Sequence, residues 1–289
     1  MIRSKLFVPG SRPELFEKAA ASRADALSFD LEDAVSADKK TEARANIAAF
    51  LQNTKILSRK ISIVRVNPVS SSLFAADVEA IVGPGLDVIN IPKVESREGV
   101  LAAVRVIATA EKAQGLSRKI TILANIESPK GLRFAAEIAT ADHRVTGLQI
   151  GFKDLLARWG IDSSDRTAQQ FIRLQVRLAA AEAGISAYDG AFTGVKDAGA
   201  FRAEAENAKR MGFEGKSCIH PSQIPIANEV FAPTIAEIDQ ARKILEAAEN
   251  AAARGEAVFT VDGEMVDEPV ILSAKAVIEL AATLADQKK

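Results

Sequence analysis

Ile120-Thr121-Ile122-Leu123-Ala124-Asn125-Ile126, then Glu127-Ser128-Pro129, then a stretch of helical period over residues 130–139, is the segment that decides the fold. The first run is short, apolar and rich in β-branched side chains, which reads as a strand; the stretch after the proline reads as a helix. The same unit recurs along the chain. Runs of strand character lie at residues 5–8, 26–30, 61–66, 86–91, 120–126, 146–150, 185–189 and 216–219. Helical stretches lie at 13–22, 38–51, 96–113, 130–139, 167–183, 199–211 and 223–230. Eight strand runs alternating with helical stretches predict a closed parallel (β/α)8 barrel, the TIM-barrel architecture.

Punctuation agrees with the periodicity. Ser11-Arg12-Pro13-Glu14 places Ser and Pro for a helix start, and Gly115, Gly184 and Gly212 fall where helices should stop. An open doubly wound sheet shares the alternation. It usually carries a glycine-rich phosphate turn after an early strand, and neither G-x-G-x-x-G nor a P-loop occurs here.

The pattern changes after the eighth unit. Residues 234–254 read as one long Ala-rich helix, Asp262-Gly263 as a hairpin turn between strands at 257–261 and 264–266, and 270–286 as a last helix. We therefore divide the chain into a catalytic barrel over 1–232 and a C-terminal helical and hairpin extension over 233–289. The extension is expected to pack on the barrel or on a neighbouring subunit.

Composition narrows the function. Lys plus Arg number 37 against 38 Asp plus Glu, so a net charge of -1 supplies no long-range field for nucleic acid or anionic lipid. No stretch reaches the roughly 18 apolar residues of a membrane span. Cys218 is the only cysteine, which forbids an intrachain disulfide and suits a reducing, cytoplasmic setting. A small-molecule partner is expected.

In such a barrel the chemistry sits where the strands end, because eight loops converge on one mouth. Those ends read Pro9-Gly10-Ser11-Arg12, Asp30-Leu31-Glu32-Asp33, Arg65-Val66-Asn67-Pro68, Pro92-Lys93-Val94-Glu95, Glu127-Ser128-Pro129, Gly151-Phe152-Lys153-Asp154, Asp189 and His220-Pro221. Asp30, Glu32, Asp33, Glu127 and Asp154 facing one mouth would repel each other unless a cation neutralises them or some are protonated. A hard divalent ion such as Mg2+ answers that need with one or two protein carboxylates, the rest of its octahedron being water and substrate oxygen. Zinc is not indicated, since His143 and His220 are the only histidines and lie in no zinc-ligand spacing.

Six stretches also carry a family resemblance. They are Arg3-Ser4-Lys5-Leu6-Phe7-Val8-Pro9-Gly10-Ser11, Asp30-Leu31-Glu32-Asp33-Ala34-Val35, Val64-Arg65-Val66-Asn67, Ile91-Pro92-Lys93-Val94-Glu95, Ile126-Glu127-Ser128-Pro129-Lys130-Gly131, and Gly215-Lys216 through Ile219-His220-Pro221. Together they resemble the citrate lyase β-subunit-like branch of the HpcH/HpaI aldolase superfamily along the whole chain. The resemblance implies a Mg2+-dependent carbon–carbon lyase. Its substrate would be a 3-hydroxyacyl-CoA thioester such as citramalyl-, malyl- or citryl-CoA, cleaved to, or condensed from, a 2-oxo acid and an acyl-CoA. It further implies Glu127 and Asp154 as metal ligands, Glu127 and Arg65 as substrate-binding residues, and Arg65 as the catalytic group that meets the developing enolate. The tail segment Gly263-Glu264-Met265-Val266-Asp267-Glu268-Pro269 resembles the family's C-terminal motif, which implies an acid or base role for Asp267 in an adjacent subunit's site and a homo-oligomer, such as a trimer. The chain departs from the family pattern at Lys153, where an acidic residue usually precedes the metal-binding Asp, and along Leu155-Leu156-Ala157-Arg158-Trp159-Gly160.

Other residues are assigned by local chemistry. Asp30, Glu32 and Asp33 are expected to orient metal-bound water or to bind neighbouring cations, with Glu32 and Asp33 the choices for the layer around the metal. Lys93 is expected in an ion pair with a rim carboxylate rather than in a Schiff base, because the surrounding acids raise its pKa. Arg3, Lys5 and Arg12 could cluster to meet CoA phosphates or stand as solvated charges; His220 is expected to fix its loop and Cys218 to pack. A CoA thioesterase, or a class II aldolase acting on free oxo acids, would use the same metal site. A non-catalytic binding subunit would have no need of so many buried like charges.

Overall fold

A computed structural model describes residues 1–286. Eight strands, β1 (Ser4–Pro9), β2 (Ala26–Asp30), β3 (Ile61–Arg65), β4 (Val88–Ile91), β5 (Thr121–Ile126), β6 (Val145–Ile150), β7 (Ser186–Asp189) and β8 (Gly215–Cys218), pair in parallel and close in sequence order. Helices fill the crossovers: α1 (Phe16–Ala20), α2 (Lys40–Leu51), α3 (Thr54–Leu57), α4 (Phe74–Ile81), α5 (Arg97–Ala113), α6 (Pro129–Arg133), α7 (Ala135–Ala139), α8 (Phe152–Leu156), α9 (Arg166–Glu182), α10 (Ala198–Arg210) and α11 (Gln223–Val230). The fold is the expected TIM barrel. Gly115, Gly184 and Gly212 end their helices at positive φ of 64°, 64° and 83°.

Three details differ from expectation. Arg12, not Ser11, precedes the first helical turn, and no side chain caps it. The stretch 130–139 is two short helices, broken at Phe134 (φ -103°, ψ 18°). α4 was not foreseen, although its buried residues Phe74, Asp77, Val78 and Ile81 have helical spacing. An acid in that stripe disguises it: Asp77 is buried because it accepts the Asn67 backbone N–H at 2.8 Å and pairs with Arg44 at 2.9 Å.

Successive strand residues alternate between the two faces of the sheet, so the register fixes what fills the barrel. Ala26, Ile63, Val88, Leu123 and Tyr188 form an apolar plug toward the N-terminal strand ends. Above it Lys5, Ser28, Asn90, Asn125, Gln149 and Ser217 are all buried. Asn90 Nδ2 donates to Asn125 Oδ1 at 2.6 Å and Ser217 Oγ to Gln149 Oε1 at 3.3 Å. Asp30, Arg65 and Glu127 crown the stack. The interior thus passes from apolar to polar to ionic toward the mouth, and the apolar plug anchors a polar upper half that could not drive folding alone.

Between β7, β8 and the helices outside them lies a second charged cluster. Lys216 Nζ reaches Asp189 Oδ2 at 2.6 Å, Glu204 Oε1 at 2.6 Å and the Gly190 carbonyl at 2.8 Å. Arg173 of α9 donates from Nε to Asp189 Oδ1 at 2.8 Å and stacks over Phe152, 4.8 Å from its ring centre. Burial pushes the Asp189 carboxyl up, but Lys216 and Arg173 outweigh that and hold it below the usual range.

The chain divides into two compact units, Met1–Asn228 and the part from Glu229 onward. The second contains α12 (Ile235–Ala253), opened by a Thr234–Glu237 capping box, an antiparallel hairpin of β9 (Phe259–Val261) and β10 (Glu264–Val266), and α13 (Glu268–Asp286). No helix among the described residues is long and apolar enough to cross a membrane.

Candidate active site

Asp30 ends β2 and Arg65 ends β3, and the two are register partners. That adjacency makes a forked pair: Arg65 Nε donates to Asp30 Oδ1 at 2.8 Å and Nη2 to Oδ2 at 2.7 Å. Burial raises the Asp30 carboxyl, but the Arg65 bonds and the N–H groups of Glu32 and Ala34 hold it below the ordinary range. On its other edge Arg65 Nη1 lies 2.9 Å from Glu32 Oε2, and Lys93 Nζ lies 2.6 Å from Glu32 Oε1. Asp33, 54% exposed, stands farther off, 3.8 Å from Arg65 and 3.6 Å from Lys93. The turn carrying these acids is held from beneath by Lys40, whose Nζ donates to the Leu31 and Glu32 carbonyls at 2.6 Å each and to Asn67 Oδ1 at 3.0 Å.

Burial pulls the Lys93 amine down, but its bond to Glu32 and the nearby Asp33 and Asp154 charges win, and its pKa is raised. A Schiff-base lysine requires the opposite. Its ion pair with a rim carboxylate matches the expectation.

Glu127 follows β5 and is buried. Asn125 Nδ2 donates to its Oε1 at 2.8 Å, and the Lys93 backbone N–H donates to its Oε2 at 3.1 Å. Lys93 achieves this at φ 53°, a left-handed conformation that a non-glycine residue adopts at a cost. Gly151, at the end of β6, gives Glu127 its room: a Cβ there would lie 2.4 Å from Glu127 Cγ. Burial, together with the Glu32 and Asp154 charges, pushes the Glu127 carboxyl up to about 7, despite Arg65 and Asn125.

Outside Glu127 opens a cleft of about 630 Å³ between the ends of β5 and β6, with Asp154 and Lys153 on one wall and Lys130 and Arg133 on the other. Among the described residues no three His, Cys, Asp or Glu side chains converge into a protein-made metal cage. The donor set instead fits a hard dication that brings its own water: oxygen ligands only, and a buried carboxylate whose neighbours leave its charge uncompensated. Glu127 and Asp154, both on this cleft, would hold it.

Arg65, Glu127, Glu32 and Lys93 are thus brought together, Asp154 faces the cleft, and Asp33 sits on the rim. Asp267 belongs to the second compact unit, immediately before α13. Arg3, Lys5 and Arg12 form no cluster. Arg3 pairs with Asp25 at 2.8 Å, Lys5 is buried inside the barrel, and Arg12 pairs with Glu14 at the surface. His220 Nδ1 lies 2.8 Å from Ser222 Oγ in its own loop, His143 is exposed beside Asp142, and Cys218 is buried with its thiol pushed up to about 12 by burial. Sequence reasoning missed the Asp30–Arg65 fork, the Lys40 brace and the Asn125 contact with Glu127. The first was detectable from two charged residues closing adjacent strands.

Residues 3–221 match the HpcH/HpaI aldolase/citrate lyase family. The citrate lyase subunit beta of Escherichia coli is 40% identical over 282 residues, covering 96% of this chain and 93% of that protein. A (3S)-malyl-CoA thioesterase of Cereibacter sphaeroides is 39% identical over 287 residues, 98% of this chain and 95% of the relative. The CitE protein of Mycobacterium tuberculosis, solved with magnesium, acetoacetate and coenzyme A, superposes with a TM-score of 0.76 at 32% identity, covering 96% of this chain and 97% of that one. A barrel whose strand ends carry this arrangement, and whose sequence matches over nearly its whole length, belongs to the HpcH/HpaI aldolase/citrate lyase family.

Proposed function

We propose that the chain is a Mg2+-dependent carbon–carbon lyase acting on a 3-hydroxyacyl-CoA thioester of the citramalyl, malyl or citryl type, releasing a 2-oxo acid and an acyl-CoA. The observation that carries this reading is Arg65 held by a two-bond fork on Asp30 at the mouth that also contains the charge-starved Glu127. The bound ion, held by Glu127 and Asp154, would supply Lewis acidity toward the oxygens of the oxo-acid half. Cleavage moves the electrons of the broken carbon–carbon bond onto the thioester, while the hydroxyl loses its proton and becomes the new carbonyl. Arg65, fixed in plane by Asp30 and Glu32, offers its remaining N–H groups to the thioester oxygen as that charge develops. Asp267 of a neighbouring copy would take the hydroxyl proton and return it to the enolate carbon, so that the proton balance closes within the site.

Assembly is part of the proposal. Phe171, Leu174 and Leu178, spaced along α9, are 60%, 50% and 61% exposed, an apolar face suited to a second copy of the chain. Residues 233–289 would complete a neighbour's mouth in a homo-oligomer such as a trimer. The single cysteine suits the cytoplasm.

Purified protein should release oxo acid from at least one of citramalyl-, malyl- and citryl-CoA only with Mg2+ present, and Glu127→Ala and Asp154→Ala should each abolish the release. Metal-independent release of free CoA without oxo acid would move the assignment to a thioesterase, the reading favoured by the Cereibacter relative.

A pH dependence arises from Glu127. Its carboxyl, at about 7 in the metal-free protein, binds a proton between the ordinary carboxylate range and neutrality that the unfolded chain releases. Metal-free stability should therefore fall as pH rises through that window. Mg2+ competes with that proton, so its affinity should rise with pH up to about 7 and level off above. Calorimetric titration with Mg2+ across that range checks this; an affinity flat with pH excludes Glu127 as a ligand.

A further inference from the structure

The cleft outside Glu127 is lined by more cations than the metal site requires. Lys93 is committed to Glu32, and Lys130 lies 3.7 Å from Glu95. Arg133, Lys153 and Arg158 also line the cleft, and among the described residues none of them has a carboxylate within ion-pair distance. Arg133 and Arg158 lie 4.8 Å and 5.5 Å from the ring centres of Phe134 and Trp159, contacts that satisfy the guanidinium faces and leave their N–H edges open. Trp159, on the same cleft, is 57% exposed. Once a dication is held by Glu127 and Asp154, the charges of those two carboxylates are spent, and three cations beside a half-exposed indole face the same space uncompensated. A merely solvated rim would interleave both signs; here the only other carboxylate lining the cleft, Glu95, already has its lysine.

We propose that Lys153, Arg133 and Arg158, with Trp159, form a subsite for a second anionic group of the substrate, separate from the oxygens held at Glu127 and Asp154. The group is a carboxylate on the oxo-acid half or a phosphate on the CoA half, since either presents the oxygens that guanidinium and ammonium groups recognise. The inference rests on the thioester reading above, but its binding readout does not require turnover. Attraction of this kind is exposed and therefore screened by salt.

Trp159 is the only tryptophan of the chain and reports on the cleft directly. With Mg2+ present, its fluorescence is titrated with oxaloacetate, pyruvate and adenosine 3′,5′-bisphosphate, in the wild type, in Lys153→Ala, in Arg133→Ala and in the variant carrying both. We expect a saturable change with oxaloacetate or with the bisphosphate that weakens in high salt, and a midpoint raised about tenfold in the double variant, the combined effect of two exposed charges. Oxaloacetate binding more tightly than pyruvate assigns the carboxylate; binding of the bisphosphate alone assigns the phosphate. Where turnover is found, citryl- against citramalyl-CoA, and CoA against N-acetylcysteamine thioesters, should show the same preference in KM. No saturable change, or midpoints unaltered by both substitutions, overturns the subsite whether or not the protein proves to be a lyase; saturable binding without cleavage of any thioester overturns the lyase and keeps the subsite.

Discussion

Arg65→Lys is expected to lower kcat by about 10²–10³-fold while leaving the fold intact, the loss typical of removing one donor from a developing oxyanion. A lysine keeps the charge but is a single point. It cannot hold both oxygens of Asp30, approach Glu32 and offer a paired donor edge to the substrate at once. Arg65→Ala should do more, because it leaves Asp30 and Glu32 buried with one cation fewer, at a cost of about 3–5 kcal/mol in stability. Steady-state kinetics on the thioester that turns over, beside urea unfolding of both variants, separates the effects. Wild-type kcat in Arg65→Lys would sink the enolate role.

Asp189→Ala should be the most destabilising single change outside the mouth. It strands Lys216 and Arg173, both buried, with Glu204 as their only remaining carboxylate among the described residues, and breaking such a pair costs about 3–5 kcal/mol. Thermal unfolding should move down by roughly 10 °C. Since the folded protein holds the Asp189 carboxyl below its ordinary range, the stability it contributes is complete at neutral pH and is lost as pH falls through and below that range. Asp189→Leu combined with Lys216→Met should recover much of the loss, because it removes the stranded Lys216 and leaves Arg173 the Glu204 carboxylate to itself. A double variant no more stable than Asp189→Ala would show that the cluster does more than neutralise itself.

The strand and helix units were legible because turn residues and apolar periods mark them locally, and the mouth was legible because charged residues follow apolar runs at Asp30, Arg65 and Glu127. What stayed hidden depends on facing. Asp189 ends β7 as Asp30 ends β2, yet it turns outward to Arg173 of α9 and Lys216 of β8 while Asp30 turns to Arg65. Parallel strands buried on both faces show no alternation to tell the two apart. Lys5 was hidden for the same reason: a lysine in a strand reads as surface until the register places it between Phe7 and the apolar plug. The Asn125 contact with Glu127 joins residues two apart on one strand face, a spacing that says nothing of contact without the neighbouring strands.

The seam between β7 and β8 is paired only at Tyr188 with Gly215 and Asp189 with Lys216, and β8 must also meet β1, the first barrel strand in sequence order. During synthesis the ring therefore stays open until Gly215–Cys218 leaves the ribosome, with β1 and β7 both exposing bare edges able to pair with other chains. Lys216 arrives on that last strand already matched to Asp189 and Glu204. The ion cluster thus straddles the seam at which the ring closes, so the contacts that join β8 to β7 are ionic as well as backbone ones.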